Sequence, residues 1–490
     1  MPLLTEGVYG RVMTDERVLP EGWVAVVKRD CPTCLLVEPV LSQLAAAGAL
    51  TVYSQDDPGF PAGLTVVDDH ELETSWRLQV ETVPTLVRVE DGVEVERTVG
   101  WLRSSWEELT GTSGLGPDLP DHRPGCGSRS VEWGVAEELD RRYGDRVLTS
   151  RTVELADLED EVEAAYARGW TDGLPVVPPT EQRVLAMLAG TTRAPSDVVA
   201  VVPPDLAPCT VEKVAVNAVM AGCLPEHLPV VLAAVAAACT DAFNMHGVLA
   251  TTFPAGPMVI VNGPVRRAIG MNSGGNSLGQ GNRANATIGR ALQLVVRNVG
   301  GGRPGEVDRA TQGQPGKYTS CFAEAEEGSP FEPFAESRGV TGSALTLFAA
   351  SGSWPVVDQL SRTPESLARS FAAALRGVGH PKLAVAFDAV LVVSPEHGRV
   401  LREGGWDRTR LLAELDELLT LPGDELVRGA AGIAEGLPAG FEGSPVPKFR
   451  PGGLLLVHAG GTAGLFSTIV PGWVSGAGGS EPVTVPVESP

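Results

Sequence analysis

The first hundred residues combine short apolar runs with one helical pattern. The run WVAVVKR at 23–29 predicts a buried strand, and LTVYSQD at 50–56 predicts a second. Between them, LLVEPVLSQLAAAG repeats apolar residues at helical spacing and predicts a helix. Further on, Asp91-Gly92 separates two strand-like runs, which is typical of a β-hairpin. The helical pattern SSWEELTG then completes a domain that we place at residues 1–112.

The long remainder alternates strand and helix patterns and predicts an α/β fold. PMVIVNGPVRRAIG and DAVLVVSPEHGRVLREGGW share one layout: an apolar strand, a turn with proline and a helix start. This likeness predicts two related α/β lobes, at 149–340 and 341–490, with a loose C-terminal tail. The Gly- and Pro-rich stretch at 113–125 predicts a linker, followed by a helix, so that 113–148 joins the domains.

Composition limits the kind of partner. The chain has 490 residues and a formal net charge of -23 at pH 7, so its surface repels nucleic acid and anionic lipid. The most apolar stretch, 228–239, is short of the roughly 20 residues that span a bilayer. The N-terminus has no basic stretch followed by an apolar core, so we expect a cytoplasmic protein. The seven cysteines are an odd number, which favours reactive or buried thiols over a disulfide framework.

Cys31-Pro32-Thr33-Cys34 is the clearest chemical motif. It opens the first predicted helix, where the helix dipole and free amides favour a thiolate. A second cysteine one turn later can resolve a mixed disulfide. The motif therefore predicts a redox-active pair; the alternative is a degenerate domain that only docks partners.

Residues 15–112 resemble thioredoxin. The resemblance rests on the CPTC motif, on Pro39 in the following helix, on Val83-Pro84-Thr85 and on the hairpin ending at Gly100. It implies a thioredoxin fold, a redox-active Cys31–Cys34 disulfide and a cis Pro84 packed beside that disulfide.

Two positions depart from the family pattern. Ala25 stands where thioredoxins usually carry a buried carboxylate, and Asp30 replaces the usual tryptophan before the first cysteine. Proton transfer and redox potential are therefore expected to differ from those of the family, and the resemblance does not carry over general protein reductase activity.

A second resemblance covers most of residues 150–480. The phrases GWTDGLPVVPPT, VEKVAVNAVMAGCLPEHLPVVLAAV and RANATIGRA are similar to a bacterial family linked to thioredoxin-like and selenocysteine-containing, UGSC-type proteins. This resemblance implies a common fold and a thiol-redox context, and it supplies neither a reaction nor catalytic residues.

Cys126 is a candidate third thiol. It follows Arg123-Pro124-Gly125 and precedes a predicted helix, a placement that lowers the pKa of a thiol. It would exchange with the CPTC pair and pass electrons to the large domain, and Cys321 is the alternative partner for this exchange. The alternative is a linker cysteine without a role.

A Gly- and Asn-rich loop runs into a helix at 271–291. Backbone amides freed by glycine at a helix start suit a phosphate, a carboxylate or an oxyanion. It matches neither a Walker loop nor a dinucleotide fingerprint, so no cofactor is assigned. The alternative is an ordinary loop with an Asn cap. The candidate substrate-binding side chains are Asn272, Ser273, Asn276, Asn282, Arg283, Asn285 and Thr287.

The segment 317–327 is a candidate catalytic helix. If helical, it places Lys317 and Glu324 on the same face as Cys321, which would give a nucleophile with a proton partner. The alternative is a surface helix with a buried structural cysteine. We expect this segment and the 272–287 loop to line one pocket.

Histidines and the other cysteines complete the candidates. His246, in a turn-like context, is the preferred acid–base histidine, followed by His397 and His458. The spacing of the remaining cysteines and His227 fits no standard zinc pattern, so structural burial is favoured and no metal is assigned. These cysteines are Cys209, Cys223 and Cys239.

Together these patterns predict a thiol-dependent oxidoreductase. The CPTC domain would supply reducing equivalents, or sulfur, to a reaction in the large domain on a small anionic or polar substrate. An external thiol reductant and a homo-oligomer are compatible with the sequence. Two alternatives stay open: a redox-independent lyase or hydrolase that uses the Asn/Gly loop as an oxyanion site, and a non-catalytic binding protein.

Overall fold

The computed structural model describes residues 19–132, 135–143, 148–150, 153, 160–476 and 478–488. The chain divides into two compact units, Met1–Val147 and Leu148–Pro490. Both units combine helices with β-sheets, so the predicted α/β class is confirmed. Within the described residues, none of the helices has the length and apolar character needed to cross a bilayer.

The first unit is built around one five-stranded sheet. Its strand order is β3-β2-β1-β5-β6, with β1, β2 and β3 parallel and with β5 antiparallel to both β1 and β6. The strands are β1 (Gly22–Val27), β2 (Leu50–Ser54), β3 (Val66–Asp68), β4 (Thr82–Val83), β5 (Thr85–Glu90), β6 (Val93–Val99), β7 (Trp101–Leu102), β8 (His122–Arg123) and β9 (Cys126–Gly127). The helices are α1 (Pro32–Ala47), α2 (Glu73–Arg77), α3 (Arg103–Thr110) and α4 (Val135–Tyr143), with a 3-10 turn at Arg129–Val131.

Local sequence accounts for the central elements of this sheet. The apolar residues of β1 are buried in the core together with the inner face of α1, whose Val37, Val40, Leu41 and Leu44 follow helical spacing. The predicted hairpin is also found. Asp91 and Gly92 have φ values of 52° and 76°, the left-handed conformation that a tight two-residue turn requires.

The stretch predicted as a linker at 113–125 instead packs on the first unit. Leu115 is buried in its core. The Arg103 guanidinium donates to the carbonyls of Leu115, Gly116 and Leu119, and the Trp101 indole donates to Pro120 O at 2.6 Å. These two side chains satisfy backbone carbonyls that a Gly/Pro-rich segment would otherwise leave unpaired, and so they fix its path.

The second unit contains an eight-stranded sheet with helices on its outer faces. The strands of the second unit are β10 (Val198–Val202), β11 (Ala207–Thr210), β12 (Gly256–Asn262), β13 (Cys321–Ala323), β14 (Ala344–Ala350), β15 (Trp354–Val357), β16 (Phe387–Val393), β17 (Thr420–Pro422), β18 (Pro445–Pro447), β19 (Leu454–His458), β20 (Phe466–Val474) and β21 (Val483–Pro486). The strands β10 and β11 form a separate pair, as do β17 and β18, and the other eight form the large sheet. Its helices are α5 (Glu161–Ala167), α6 (Glu181–Leu188), α7 (Val211–Ala221), α8 (Leu228–Ala238), α9 (Met245–Ala250), α10 (Val265–Ala268), α11 (Arg283–Asn298), α12 (Phe334–Ser337), α13 (Pro364–Leu375), α14 (Pro395–Glu403), α15 (Arg408–Leu418) and α16 (Gly423–Leu426). Short 3-10 turns lie at Pro225–His227, Pro315–Lys317 and Ala430–Gly432.

Two halves of this sheet repeat one topology. In the first, β12 pairs parallel with β13 and antiparallel with β14; in the second, β16 pairs parallel with β19 and antiparallel with β20. In each half, helices connect the two parallel strands. Between the halves, β14 pairs with β20 at Ala350 and Gly472, and the N–H of Ser351 donates to Pro471 O at 2.8 Å. The shared layout of the two predicted strand–turn–helix segments therefore corresponds to equivalent positions, β12–α10 and β16–α14.

The limits of the two lobes differ from the prediction. A boundary at 340 would separate β14 from β12, with which it pairs over its whole length. The C-terminal tail, expected to be loose, contributes β21, which pairs with β14. Pairing between strands that are distant in sequence sets both the lobe boundary and the place of the C-terminal segment, and no local sequence pattern predicts such pairing.

The outer edges of the two halves also meet. The backbone N–H of Ala325, just after β13, donates to His458 O at 2.7 Å at the end of β19. Side chains from both halves form one apolar core between them, including Ile260, Phe322, Val390 and Val457. Alternate residues of β12 pack outward against α8 and α11, which explains why every residue of this strand is buried.

Candidate thiol site

Cys31 caps the first helix with its own sulfur. Its backbone is extended, and its Sγ accepts the N–H of Cys34 at 3.3 Å. Pro32 occupies the first helical position, where its missing N–H costs no hydrogen bond. Both Cys31 and Cys34 are buried. The free amides at the start of α1 therefore point to the Cys31 sulfur, as expected.

The two thiols of the motif have opposite electrostatic environments. The pKa of Cys31 is lowered to about 5, chiefly because the Cys34 thiol donates to it, with smaller contributions from the Cys126 thiol and the backbone amides of Cys34 and Thr33; burial opposes the shift. The pKa of Cys34 is raised well above its ordinary value by burial and by its bond to Cys31. These opposite shifts favour the thiolate at Cys31 and the protonated thiol at Cys34.

Pro84 lies next to the pair. The Val83–Pro84 peptide bond is cis, which confirms the expectation drawn from the resemblance. The carbonyl oxygen of Val83 is 3.6 Å from the Cys31 sulfur. The residue before Pro84 thus contacts the Cys31 thiol directly.

Cys126 is the third thiol of the site. It lies in β9, paired antiparallel with Val83 in β4, and its side chain bonds to Cys31. Burial and the neighbouring Cys31 raise the pKa of Cys126, so the predicted lowering at a helix start is wrong. The reason is local: Cys126 is in a strand, and the next regular helix, α4, begins only at Val135. Its expected closeness to the CPTC pair is found.

The seven cysteines are free thiols, and within the described residues no group of three His, Cys, Asp or Glu side chains is placed to hold a metal ion. Burial raises the pKa of Cys209 and Cys223 to about 12 and that of Cys239 to about 11. Cys209 and Cys223 lie in the apolar core and Cys239 packs against it, which agrees with the favoured interpretation. His227 is buried, and its Nδ1 accepts the N–H of Leu224 at 3.2 Å.

In the second unit, the polar side chains of the Asn/Gly loop mainly hold the loop itself. Buried Asn285 bonds to the backbone N–H and carbonyl of Asn272 and to the carbonyl of Ser277. Asn282 caps α11 by accepting the N–H of Asn285 at 3.0 Å. Arg283 donates to Gly222 O, and Thr287 donates to Arg283 O. The carbonyl of Ser273 accepts the N–H of Gly460.

One cavity of about 320 Å³ does lie under this loop. Asn276 and Ser277 line it from the loop side, and no charged side chain does so. Its remaining lining residues are Leu278, Gly279, Val392, Ala459, Gly460, Phe466 and Thr468. The predicted pocket shared by the loop and 317–327 is therefore found only for the loop, because the opposite wall comes from β16, β20 and the two residues after β19.

The segment 317–327 is not a helix. Cys321 begins β13 and is buried, and burial raises the pKa of its thiol far above the ordinary range. Lys317 instead pairs with Asp308 at 2.8 Å. Glu324 is buried with other partners: its carboxylate accepts Asn262 Nδ2 at 2.5 Å and Phe334 N at 2.6 Å. Strand geometry thus separates the three groups that helical spacing was expected to unite, and the predicted nucleophile is wrong.

The histidines occupy three different settings. His246 is exposed at the start of α9, without a catalytic partner in the described site. His397 is buried: its Nε2 donates to Asp358 O at 2.9 Å, and its Nδ1 lies 2.7 Å from Ser467 Oγ. Ser467 lies between two cavity residues on a strand, so its hydroxyl faces away from the cavity. His458 bonds to Ala325 O, and burial lowers its pKa.

Sequence reasoning missed a buried polar group that holds the chain just after Cys126. Gln55 Nε2 donates to Ser75 Oγ at 2.8 Å and to Ser128 Oγ at 2.7 Å, and its Oε1 accepts the N–H of Arg129. These residues are far apart in sequence. The only local signal was a glutamine near the end of a predicted strand.

Comparison with protein-family models, with curated proteins and with solved structures finds no match to this chain. The functional assignment therefore rests on the chemistry of its own residues.

Proposed function

We propose that the protein is a thiol–disulfide oxidoreductase in which Cys31 is the attacking thiol and Cys34 the resolving thiol. The observation that carries this proposal is the contrast between the two thiols. The pKa of Cys31 is lowered to about 5, and the pKa of Cys34 is raised, while the Cys34 amide lies 3.3 Å from the Cys31 sulfur. A thiolate beside a protonated thiol is the arrangement that two-step disulfide exchange requires.

The architecture of the first unit supports a thioredoxin fold. A sheet of three parallel strands and an antiparallel hairpin carries the CPTC helix at the end of β1. The cis Pro84 lies beside that helix start, at the position that the family resemblance implies. These features support the fold assignment that the sequence motifs suggest.

The exchange reaction follows from the two protonation states. The Cys31 thiolate attacks one sulfur of a substrate disulfide, which breaks the S–S bond and releases one substrate thiolate. Cys34 then loses its proton and attacks the Cys31 sulfur, which forms the Cys31–Cys34 disulfide and releases the second substrate thiolate. Two electrons pass from the cysteine pair to the substrate, and the reverse sequence reoxidises a dithiol.

We place the reaction that uses these equivalents in the second unit. The Asn/Gly loop and the 320 Å³ cavity beneath it are the best candidate for a small polar substrate, since Asn276, Ser277 and Thr468 offer polar groups among apolar walls. Cys321 is excluded as an electron acceptor by its burial in the apolar core. Cys126, beside Cys31, stays the expected route for electrons leaving the pair.

The number of glutathione thiols that the reduced chain releases from glutathione disulfide tests the proposal. The fully reduced wild-type chain should release two glutathione thiols per redox site, and Cys31→Ser should release none from that site. Cys239→Ser, a half-buried thiol of the second unit, is the matched control and should behave as wild type. Unchanged release from Cys31→Ser would contradict the assignment of the attacking thiol.

A further inference from the structure

We infer that residues 122–128, here called the strap, cover Cys31 and present Cys126 as a second resolving thiol that competes with Cys34. This inference rests on the proposed exchange at Cys31 and adds to it both a shielding element and an alternative product. The redox pair is therefore a three-thiol site, with one attacking sulfur and two possible partners for it.

The strap is held by backbone pairing at both ends. At its start, β8 pairs with β7, with Arg123 opposite Trp101. At its end, β9 pairs with β4, with Cys126 opposite Val83. Between these pairs, the Thr33 hydroxyl, inside the CPTC motif, donates to Pro124 O at 2.7 Å. The motif itself thus fixes the middle of the strap.

The last residue of the strap and the chain that follows it are fixed by buried polar groups. Ser128 N donates to Glu81 O at 2.9 Å, and the Ser128 hydroxyl accepts Gln55 Nε2 at 2.7 Å. Ser130 Oγ donates to Val80 O. Because unpaired buried polar groups are costly, these bonds favour the seated strap over a detached one.

Gly125 allows the close approach of the strap. A Cβ at this position would lie 2.4 Å from Thr82 Cγ2 and 2.7 Å from Val83 O, closer than such atoms pack. Gly127, two residues later in β9, has nothing within 4 Å of its Cβ position. Neither glycine has a left-handed backbone, so alanine at either position differs only in this steric contact. The two positions form a matched pair for testing whether the strap must seat.

Burial shows what the strap does to Cys31. Cys31 is 0% exposed, whereas Cys126 is partly exposed. A bulky disulfide therefore reaches Cys31 only when the strap lifts. A disulfide between Cys31 and Cys126 would join the strap covalently to the helix start and hold the site shut.

Resolution by Cys126 uses glutathione disulfide as the oxidant, as resolution by Cys34 does. The Cys31 thiolate attacks glutathione disulfide and forms a Cys31–glutathione mixed disulfide, releasing one glutathione thiolate. Cys126 loses its proton and attacks the Cys31 sulfur, forming Cys31–Cys126 and releasing the second glutathione thiolate. Glutathione disulfide accepts the two electrons, and the Cys126 proton passes to solvent.

Mapping the oxidised products of the full chain tests the second resolving thiol. With Cys34→Ser, glutathione disulfide should yield a Cys31–Cys126 disulfide and two released thiols. With Cys34→Ser combined with Cys126→Ser, it should yield a stable Cys31–glutathione adduct and one released thiol. A lasting Cys31–glutathione adduct in the single variant would overturn this inference. The proposed Cys31–Cys34 chemistry would survive that result, because the wild-type product reports on it separately.

Alkylation of Cys31 by iodoacetamide tests the shielding. Gly125→Ala should raise the alkylation rate of Cys31 by about tenfold, because a seated strap becomes strained and lifts more often. Gly127→Ala should leave the rate within about twofold of wild type. Circular dichroism of each variant checks that the unit stays folded. Equal rates for the two folded variants would show that the strap does not cover Cys31.

Discussion

Cys126 lies opposite Val83 in an antiparallel pair, and Val83 is the residue that precedes the cis Pro84. The same Val83 places its carbonyl oxygen 3.6 Å from the Cys31 sulfur. One backbone register therefore brings a thiol that is distant in sequence close to Cys31. It also means that the chemistry of Cys31 depends on two neighbouring thiols rather than one.

The first prediction concerns the titration of Cys31. Thiolate ultraviolet absorbance should reveal one thiol with a pKa near 5 in the reduced chain, and Cys31→Ser should remove it. Cys34→Ala should raise this pKa more than Cys126→Ala does, because the Cys34 thiol is the larger of the two stabilising influences. An equal rise in this pKa from Cys239→Ala would show that the titrating thiol is not Cys31.

The direction of the pH dependence follows from that lowered pKa. The folded state holds the Cys31 proton less tightly than an ordinary thiol with a pKa of 9.0 does, so ionisation of Cys31 stabilises the reduced fold. That contribution is present above the ordinary pKa and is lost as the pH falls towards 5. Urea unfolding of wild type and Cys31→Ser across this range should show that the difference in their free energies of unfolding shrinks on acidification. A difference that grows on acidification would contradict the lowered pKa of Cys31.

Cys321 should have no part in the exchange. It is buried in the apolar core of the second unit, so Cys321→Ala should leave the stoichiometry of glutathione release at two. The variant should lose about 1 kcal/mol of stability or somewhat more, because it removes a buried sulfur from a packed site. Loss of thiol release with an intact fold would restore Cys321 as a redox partner.

Asn285 should be important for the Asn/Gly loop of the second unit. It is buried and bonds to both backbone groups of Asn272 and to Ser277 O. Asn285→Ala should therefore lower the free energy of unfolding by about 1–3 kcal/mol, since these groups lose their partner. Gln280→Ala, an exposed position in the same loop, is the control and should change it by less than about 0.5 kcal/mol. Denaturant unfolding measures both, and equal effects would show that Asn285 does not organise the loop.

Local patterns were sufficient for the centre of the first unit. The motif at Cys31 and Cys34, the helix that follows it and the turn at Asp91 all depend on residues close together in sequence. The cis bond at Pro84 followed from a family resemblance. What local patterns could not provide was the path of residues 113–128, because Trp101 and Arg103 hold that segment from another part of the chain.

The second unit shows the limit of helical spacing as a guide. Lys317, Cys321 and Glu324 have the spacing of one helix face, yet Cys321 joins a sheet by pairing with Val259. Tertiary pairing overrides local preference in so short a segment. Of the loop at 272–287, residues 276–279 line a cavity, but the residues opposite them come from parts of the chain more than a hundred residues later.

An equilibrium redox titration of the full chain, with peptide mapping of the alkylated products, tests the central claim most directly. Across a series of reduced-to-oxidised glutathione ratios, the account predicts one two-electron transition in which Cys31 and Cys34 pass together from free thiols to a shared disulfide. A titration in which Cys34 stays a free thiol throughout, or becomes oxidised without Cys31, would contradict it.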